Sequence, residues 1–386
     1  MASQFNFTSL PDLRTLHPRE VPQNNILMYQ MPTLYSRPHG DGFGPGEVID
    51  NMNGIDVVLC ALRHLYSHLD SKFRDNAEIR EMEAKNPLLR LAWSEFKQSV
   101  TSTAAQNRAR QSIAKFLRGI GMANLSYLTI AESRLMHETL LRQEPYQLFD
   151  AHPLSQPMEA TDNNWDIDDG RRDPAGIAAE SLVTWDGLGD LGDVISDKFG
   201  IFASDETNRK YLWTFNLPAF VRVHYRAPIS NTSSFAKLKE IKIDGKCYQP
   251  CGKDGKSIRI RPREQGSTSW VLIMVIRLRK GYEDQDLIRR YTVDGREVIN
   301  PVSFAYSNVD WKLGESGRQY MLYYAMAPSV DTGVNLPEVL LRPKDYEKKI
   351  KMYSDCINAA IALEEEEKKA AEKAAGGSSS QPSGST

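Results

Sequence analysis

Apolar residues recur at spacings of three and four from about residue 54 to 72, where Ile55, Val58, Leu59, Leu62, Leu65 and Tyr66 fall on one face. That period predicts an amphipathic helix. Residues 75–145 continue in the same manner. Leu88, Leu89, Leu91, Ala92 and Phe96, then Ile113, Phe116, Leu117 and Ile120, predict two or three further amphipathic helices. Residues 146–180 are polar and turn-prone, as in "HPLSQPMEATDNNWDIDDGRRDPAG", and read as an exposed loop or insertion. Beyond them the pattern changes period. "FVRVHYRAP" (220–228), "KEIKIDGKCYQP" (239–250), "SWVLIMVIRLRK" (269–280), "LIRRYTVDGREVINPV" (287–302) and "RQYMLYYAMAP" (318–328) are rich in β-branched and aromatic residues. Asp-Gly pairs at 244–245 and 294–295 mark tight turns between them.

A helical front followed by an antiparallel sheet gives an α+β fold class, with one principal domain over 46–330. Residues 1–45, with repeated Pro, Asn and Gly, read as an irregular lead-in. Over 340–374, Tyr346, Ile350, Tyr353, Ile357 and Ile361 at near-heptad spacing precede a charge run and predict a helix. It packs on its own domain or meets a partner through 343–374. "GGSSSQPSGST" (375–386) has the composition of a disordered tail.

Charge narrows the function classes. The net charge is −2 and the pI about 6.4, so no global basic field recruits nucleic acid or anionic lipid. Four cysteines in 386 residues are no disulfide framework. The first residues lack a signal-peptide pattern and no window reaches the length of a membrane span, so cytoplasm or nucleus is the expected compartment.

The stretch "DNMNGIDVVLCALRHL" (50–65) is a polar turn running into a helix, the setting in which enzymes often present a nucleophile. In order and spacing the chain resembles the ubiquitin-specific proteases, a papain-like family of cysteine peptidases. That family opens on an Asn-Thr-Cys turn before a Val-Leu-Gln-Ala-Leu helix; here the register runs Asn51 to Leu62 without gaps and sets Asn53 at the nucleophile position. "NLPAFVRVHYRAP" (216–228) is similar to a family strand, with Leu217, Pro218, Val223, His224 and Arg226 in place. "SWVLIMVIRLRK" is similar to the strand before the catalytic histidine. "RRYTVDGREVINPVS…RQYMLYYAM" is similar to the closing segment and sets Asp294 at the acid position.

The resemblance implies a papain-like fold and a site that has lost its chemistry. A cysteine peptidase needs a thiolate, a histidine to move its proton and a group to orient that histidine. Asn53 is a carboxamide, and the histidines (17, 39, 64, 68, 137, 152, 224) all precede the interval "GYEDQDLIRRYTV", which offers Tyr282, Asp284 and Asp286 instead. Asp294 then has no histidine to orient and reads as an Asp-Gly turn residue. Asn51 and the Asn53 amide could face an oxyanion position, but read better as helix caps. Cys60 reads as an inert apolar residue, and with His64 and His68 as a solvent-edge stripe rather than a metal site. His224 reads as a core or sheet-face residue. Cys247 and Cys251 lack a second pair, so no metal and no cofactor is expected. Arg259, Arg261 and Arg263 alternate on a basic hairpin that reads as solvated sheet surface, and no nucleic acid is expected as a partner. "GFGPGE" lacks a P-loop's Lys-Ser/Thr, and "DNNWDIDDG" lacks a calcium loop's closing Glu. Three functions remain: an inactive module binding ubiquitin or another protein near Asn53, Val223, Tyr282 and Asp294; an active divergent deubiquitinating peptidase; or a scaffold that assembles through its C-terminal helix.

Overall fold

A computed structural model describes residues 9–33, 52–97, 99–150, 154–167, 173–229, 235–244, 248–254, 257–262, 268–281, 284–298 and 311–327, with scattered residues between 351 and 370. Helices α1 (Leu13–Leu16), α2 (Glu20–Tyr29), α3 (Asn53–Ser67), α4 (Ala77–Lys85), α5 (Pro87–Ala92), α6 (Val100–Gly119), α7 (Tyr127–Ala131) and α8 (Arg134–Glu138) form the front. Strands β1 (Leu154–Pro157) and β2 (Asn164–Ile167) follow, then α9 (Pro174–Glu180), β3 (Leu182–Trp185) and α10 (Leu191–Ser196). The remainder is β4 (Gly200–Ser204), β5 (Arg209–Trp213), β6 (Phe220–Arg226), α11 (Phe235–Leu238), β7 (Glu240–Ile243), β8 (Tyr248–Asp254), β9 (Ser257–Pro262), β10 (Thr268–Arg277), β11 (Leu287–Arg290) and β12 (Gln319–Ala327).

Two sheets result. The central one has the order β11-β10-β12-β6-β3, and β10 shares one edge between two partners. β7 pairs with its first half (Thr268 to Val271), and β11 with its second half (Met274 to Arg277). β12 runs along the other edge, with a register shift between Leu272 and Met274. The second sheet has the order β4-β5-β1-β2-β9-β8. The expected antiparallel pairing holds except at β3, which lies parallel to β6. The crossover that a parallel pair requires is supplied by α10 and the β4–β5 hairpin.

The central sheet is buried on both faces, which is why its strands read as nearly continuous apolar runs. On one face, Ile273, Met274, Ile276, Met321 and Tyr323 join the helical core of Ile55, Leu59, Leu62, Leu88 and Ile113. On the other, Val221, Val223, Tyr225, Leu272 and Tyr324 pack with Trp185, Trp270 and Trp311. Alternation along β6 carries the polar residues too. Arg222 turns toward the helices and forks onto Glu132 at 2.6 and 2.8 Å.

Two segments differ from expectation. Within the lead-in, α1 and α2 are formed and Leu10, Leu13, Ile26, Leu27 and Met31 are core residues. Pro22, Asn24 and Asn25 lower the intrinsic helix preference of α2. Its helicity comes instead from burial and from Arg63 of α3. That fully buried guanidinium donates to the carbonyls of Ile26 (2.9 Å), Gln30 (2.9 Å), Ala92 (2.7 Å) and Ser94 (2.9 Å), closing the C-terminal ends of α2 and α5 together. The polar stretch 146–180 holds β1, β2 and α9, with Leu154, Trp165 and Ile177 buried. Its few apolar residues suffice because the strands need only one covered face. The tight turn expected at Asp294-Gly295 is present, with φ +81° at Gly295. Tyr346, Ile350, Tyr353, Ile357 and Ile361 lie outside the described residues. Those described between 351 and 370 are helical and exposed, and Glu367 pairs with Arg19. Among the described residues no helix is long and apolar enough to cross a membrane.

Candidate functional site

Asn53 is the first residue of α3, and Met52, in α-helical conformation, precedes it without a side-chain cap. The Asn53 side chain does not cap its own helix. Its Oδ1 accepts the backbone N–H of Asp286 at 2.7 Å, across 233 residues. Asp286 sits between β10 and β11, the interval in which the family resemblance would set a histidine. Its own carboxylate is fully buried and binds backbone on both sides: Oδ2 accepts the Tyr127 N–H at 2.9 Å and Oδ1 the Arg279 N–H at 3.1 Å. Burial raises the Asp286 carboxyl above its ordinary range, against the pull of those two N–H groups.

The closeness of these elements requires a glycine. A Cβ on Gly54 would lie 1.9 Å from the Leu125 carbonyl oxygen and 2.8 Å from the Tyr127 nitrogen. The first turn of α3 therefore rests on the backbone that leads into α7. Asp56, one turn further in, is buried and pairs with buried Arg110 of α6 at 2.5 Å. The position where a thiol would meet an imidazole is thus a packed junction of α3, α7 and the β10–β11 connection, tied by amide and carboxylate hydrogen bonds.

The other sequence candidates are not brought to it. Asn51 and Tyr282 lie outside the described residues, as does Cys247. Asp294 stands in its exposed turn, where Thr292 and Arg296 (2.7 Å) hold its carboxyl below the ordinary range. Val223 is fully buried on the sheet face turned away from α3, so it lines no surface groove; strand alternation gives that face to Val221, Val223 and Tyr225. His224 is buried and its Nε2 lies 3.0 Å from Gln319 Oε1. Asp284, two residues before Asp286, binds Arg277 at 3.0 Å and also Arg318, bonds that sequence reasoning did not anticipate. Burial would raise its carboxyl, but the Lys280 N–H and Arg318 outweigh it and hold it low.

The proposed solvent-edge stripe on α3 is instead internal. Cys60 and His64 are buried, and burial pushes the Cys60 thiol up to about 12. His64 Nε2 is 3.0 Å from the carbonyl oxygens of both Ile273 and Tyr291, so it carries the proton and Nδ1 is bare. His68 stacks edge-on against His64, with ring centroids 4.7 Å apart. Burial is the main cause of depressed basicity in both, with Arg290 adding to it: His64 lies well below the ordinary range and His68 falls to about 4. Among the described residues no group of three His, Cys, Asp or Glu side chains could hold a metal. Among them, too, no thiol stands near an imidazole at the start of α3. The signal for an internal histidine was present in retrospect: α3 is apolar on more than one face, and it is buried almost throughout.

Two outcomes follow from this geometry. Asp286→Ala strands the N–H groups of Tyr127 and Arg279, and Asp286→Asn turns an NH₂ donor against one of them. Each is expected to cost about 2–5 kcal/mol in urea unfolding. For pH the sign follows from the histidines. The unfolded chain takes up protons as pH falls below about 6.5, whereas folded His68 does so only near 4. Stability is therefore lost as pH falls through that window, by about 1.4 kcal/mol per pH unit for each histidine held neutral. Asp286, with its raised carboxyl, opposes this slope in the acid range above 3.8. His68→Gln removes about one proton from the slope, measured as unfolding free energy against pH.

No protein-family model matches the chain, and no curated protein matches it in sequence. Among solved structures it is similar to the Saccharomyces cerevisiae Pan2 pseudoubiquitin hydrolase–RNA exonuclease module in complex with AAGGA RNA. The identity is 10%, over 81% of this chain and 61% of that one, with a TM-score of 0.31. For the same module with AAUUAA RNA, the identity is 10% over 78% and 59%, with a TM-score of 0.33. The chain spans about three fifths of the length of those structures.

Proposed function

We propose that the chain is a catalytically inert, papain-like module of ubiquitin-specific-protease type that binds a protein, with ubiquitin the first partner to test. The observation that carries this reading is the bond from the Asp286 N–H to Asn53 Oδ1. A carboxamide has no proton to lose near neutral pH, and the group facing it is a backbone amide rather than an imidazole. Nearby substitutes are absent among the described residues, since the Cys60 thiol is buried and protonated and His64 is spent on two carbonyls.

Support for a binding role comes from the same end of the central sheet. β6 and β10 are each antiparallel to β12, so their C-terminal ends lie together. Just beyond β6, Ile229 is 84% exposed, and Leu188, after β3, is 61% exposed. The two are brought near each other because Gly187 abuts Pro228, where a Cβ would lie 3.0 Å from the proline ring. An apolar rim at this end of the sheet, on its β3–β6 side, suits a protein surface better than a small substrate.

The test is a calorimetric titration of the full chain with mono-ubiquitin, alongside an assay of ubiquitin-amide hydrolysis. Micromolar binding without turnover is expected, with Asn53→Cys also inactive because among the described residues no histidine serves the new thiol. Absence of heat at high concentration removes ubiquitin as the partner. Hydrolysis by the unaltered chain removes the inert reading.

A further inference from the structure

The two edges of the second sheet are built differently. At one edge β8 carries Pro250, which has no N–H to offer, and a register shift between Pro250 and Gly252. These are devices by which natural sheets keep an edge from pairing with another chain. At the other edge β4 reads Gly200-Ile201-Phe202-Ala203-Ser204, with no charge and no proline. Its register against β5 is unbroken from Gly200↔Trp213 to Ser204↔Arg209. Among the described residues only β5 pairs with it, and Ile201 (49%) and Phe202 (39%) are exposed.

We infer that β4 is a self-association edge, pairing antiparallel with β4 of a second copy about a two-fold axis at Phe202. The occupant follows from what such a register sets opposite what. Phe202 meets Phe202 of the other copy, and because Tyr211 stands opposite Phe202 on β5, an aromatic row continues across the junction. Ile201 meets Ala203, large against small, at both symmetric positions. Along the paired residues, Gly200 to Ser204, no charge faces another. A two-fold interface requires this self-complementarity, whereas an arbitrary extended peptide does not. Five residues of strand bury far less than the roughly 1,600 Å² of a standard stable interface, so the dimer is a weak one.

Sedimentation velocity of the full chain over rising concentration tests this. A concentration-dependent dimer is expected. Phe202→Lys sets two like charges directly opposite and weakens the association at least about tenfold. Phe202→Glu does the same. Mixing the two variants restores dimer, since each lysine then faces a glutamate. Unfolding midpoints check that both variants fold, and Ala203→Lys, at another exposed position of the strand, serves if one does not. A dimer that survives Phe202→Lys, variants that fail to pair on mixing, or a chain that stays monomeric at the highest concentration each overturns the inference. This site and its readout are independent of ubiquitin binding.

Discussion

Asp286 binds three separate parts of the chain with one residue. Its amide goes to the start of α3, and its carboxylate goes to the start of α7 and to the end of β10. Burying a carboxylate is costly unless its oxygens are satisfied, and here backbone N–H groups satisfy both. Because those groups cannot move without moving their elements, the helical layer and the central sheet are fixed at this point. Gly54 permits the approach, and Asn53 supplies the acceptor that its neighbour's amide requires.

The same logic recurs where polar groups are buried elsewhere on α3. Arg63 closes two helix ends through four carbonyls, and His64 binds two carbonyls of the sheet side. Asp56 and Arg110 pair inside the helical layer. None of these groups is arranged to move a proton to a substrate. Each spends its hydrogen-bonding capacity on backbone or on an ion pair, so the helix that would carry a nucleophile works as the central strut of the helical layer.

Much of this architecture could be read from the chain. The three-and-four spacing from Ile55 to Tyr66 marked α3, and the β-branched runs marked β6, β10 and β12, because burial on one or both faces leaves a period in the sequence. The absence of a histidine after residue 224 was equally legible. What escaped were elements held by distant groups. α2 contains a proline and two asparagines and is completed by Arg63. β1 and β2 are short and polar and are paired by β5 and β9. At the site, Asn53 read as a cap because Asn at a helix start usually is one; its true partner is 233 residues away. The internal His64 and the outward-looking reading of Val223 failed for a shared reason: the number of covered faces is a property of packing, not of spacing.

The Asn53–Asp286 bond closes the junction, which would otherwise stand open as a working groove. Native-state hydrogen exchange at the Asp286 and Tyr127 amides measures that directly. Protection of both amides close to that of the central strands β10 and β12 is the predicted result. Rapid exchange at Asp286 with the rest of the fold protected would contradict it, and would mean that α3 and the β10–β11 connection part in solution.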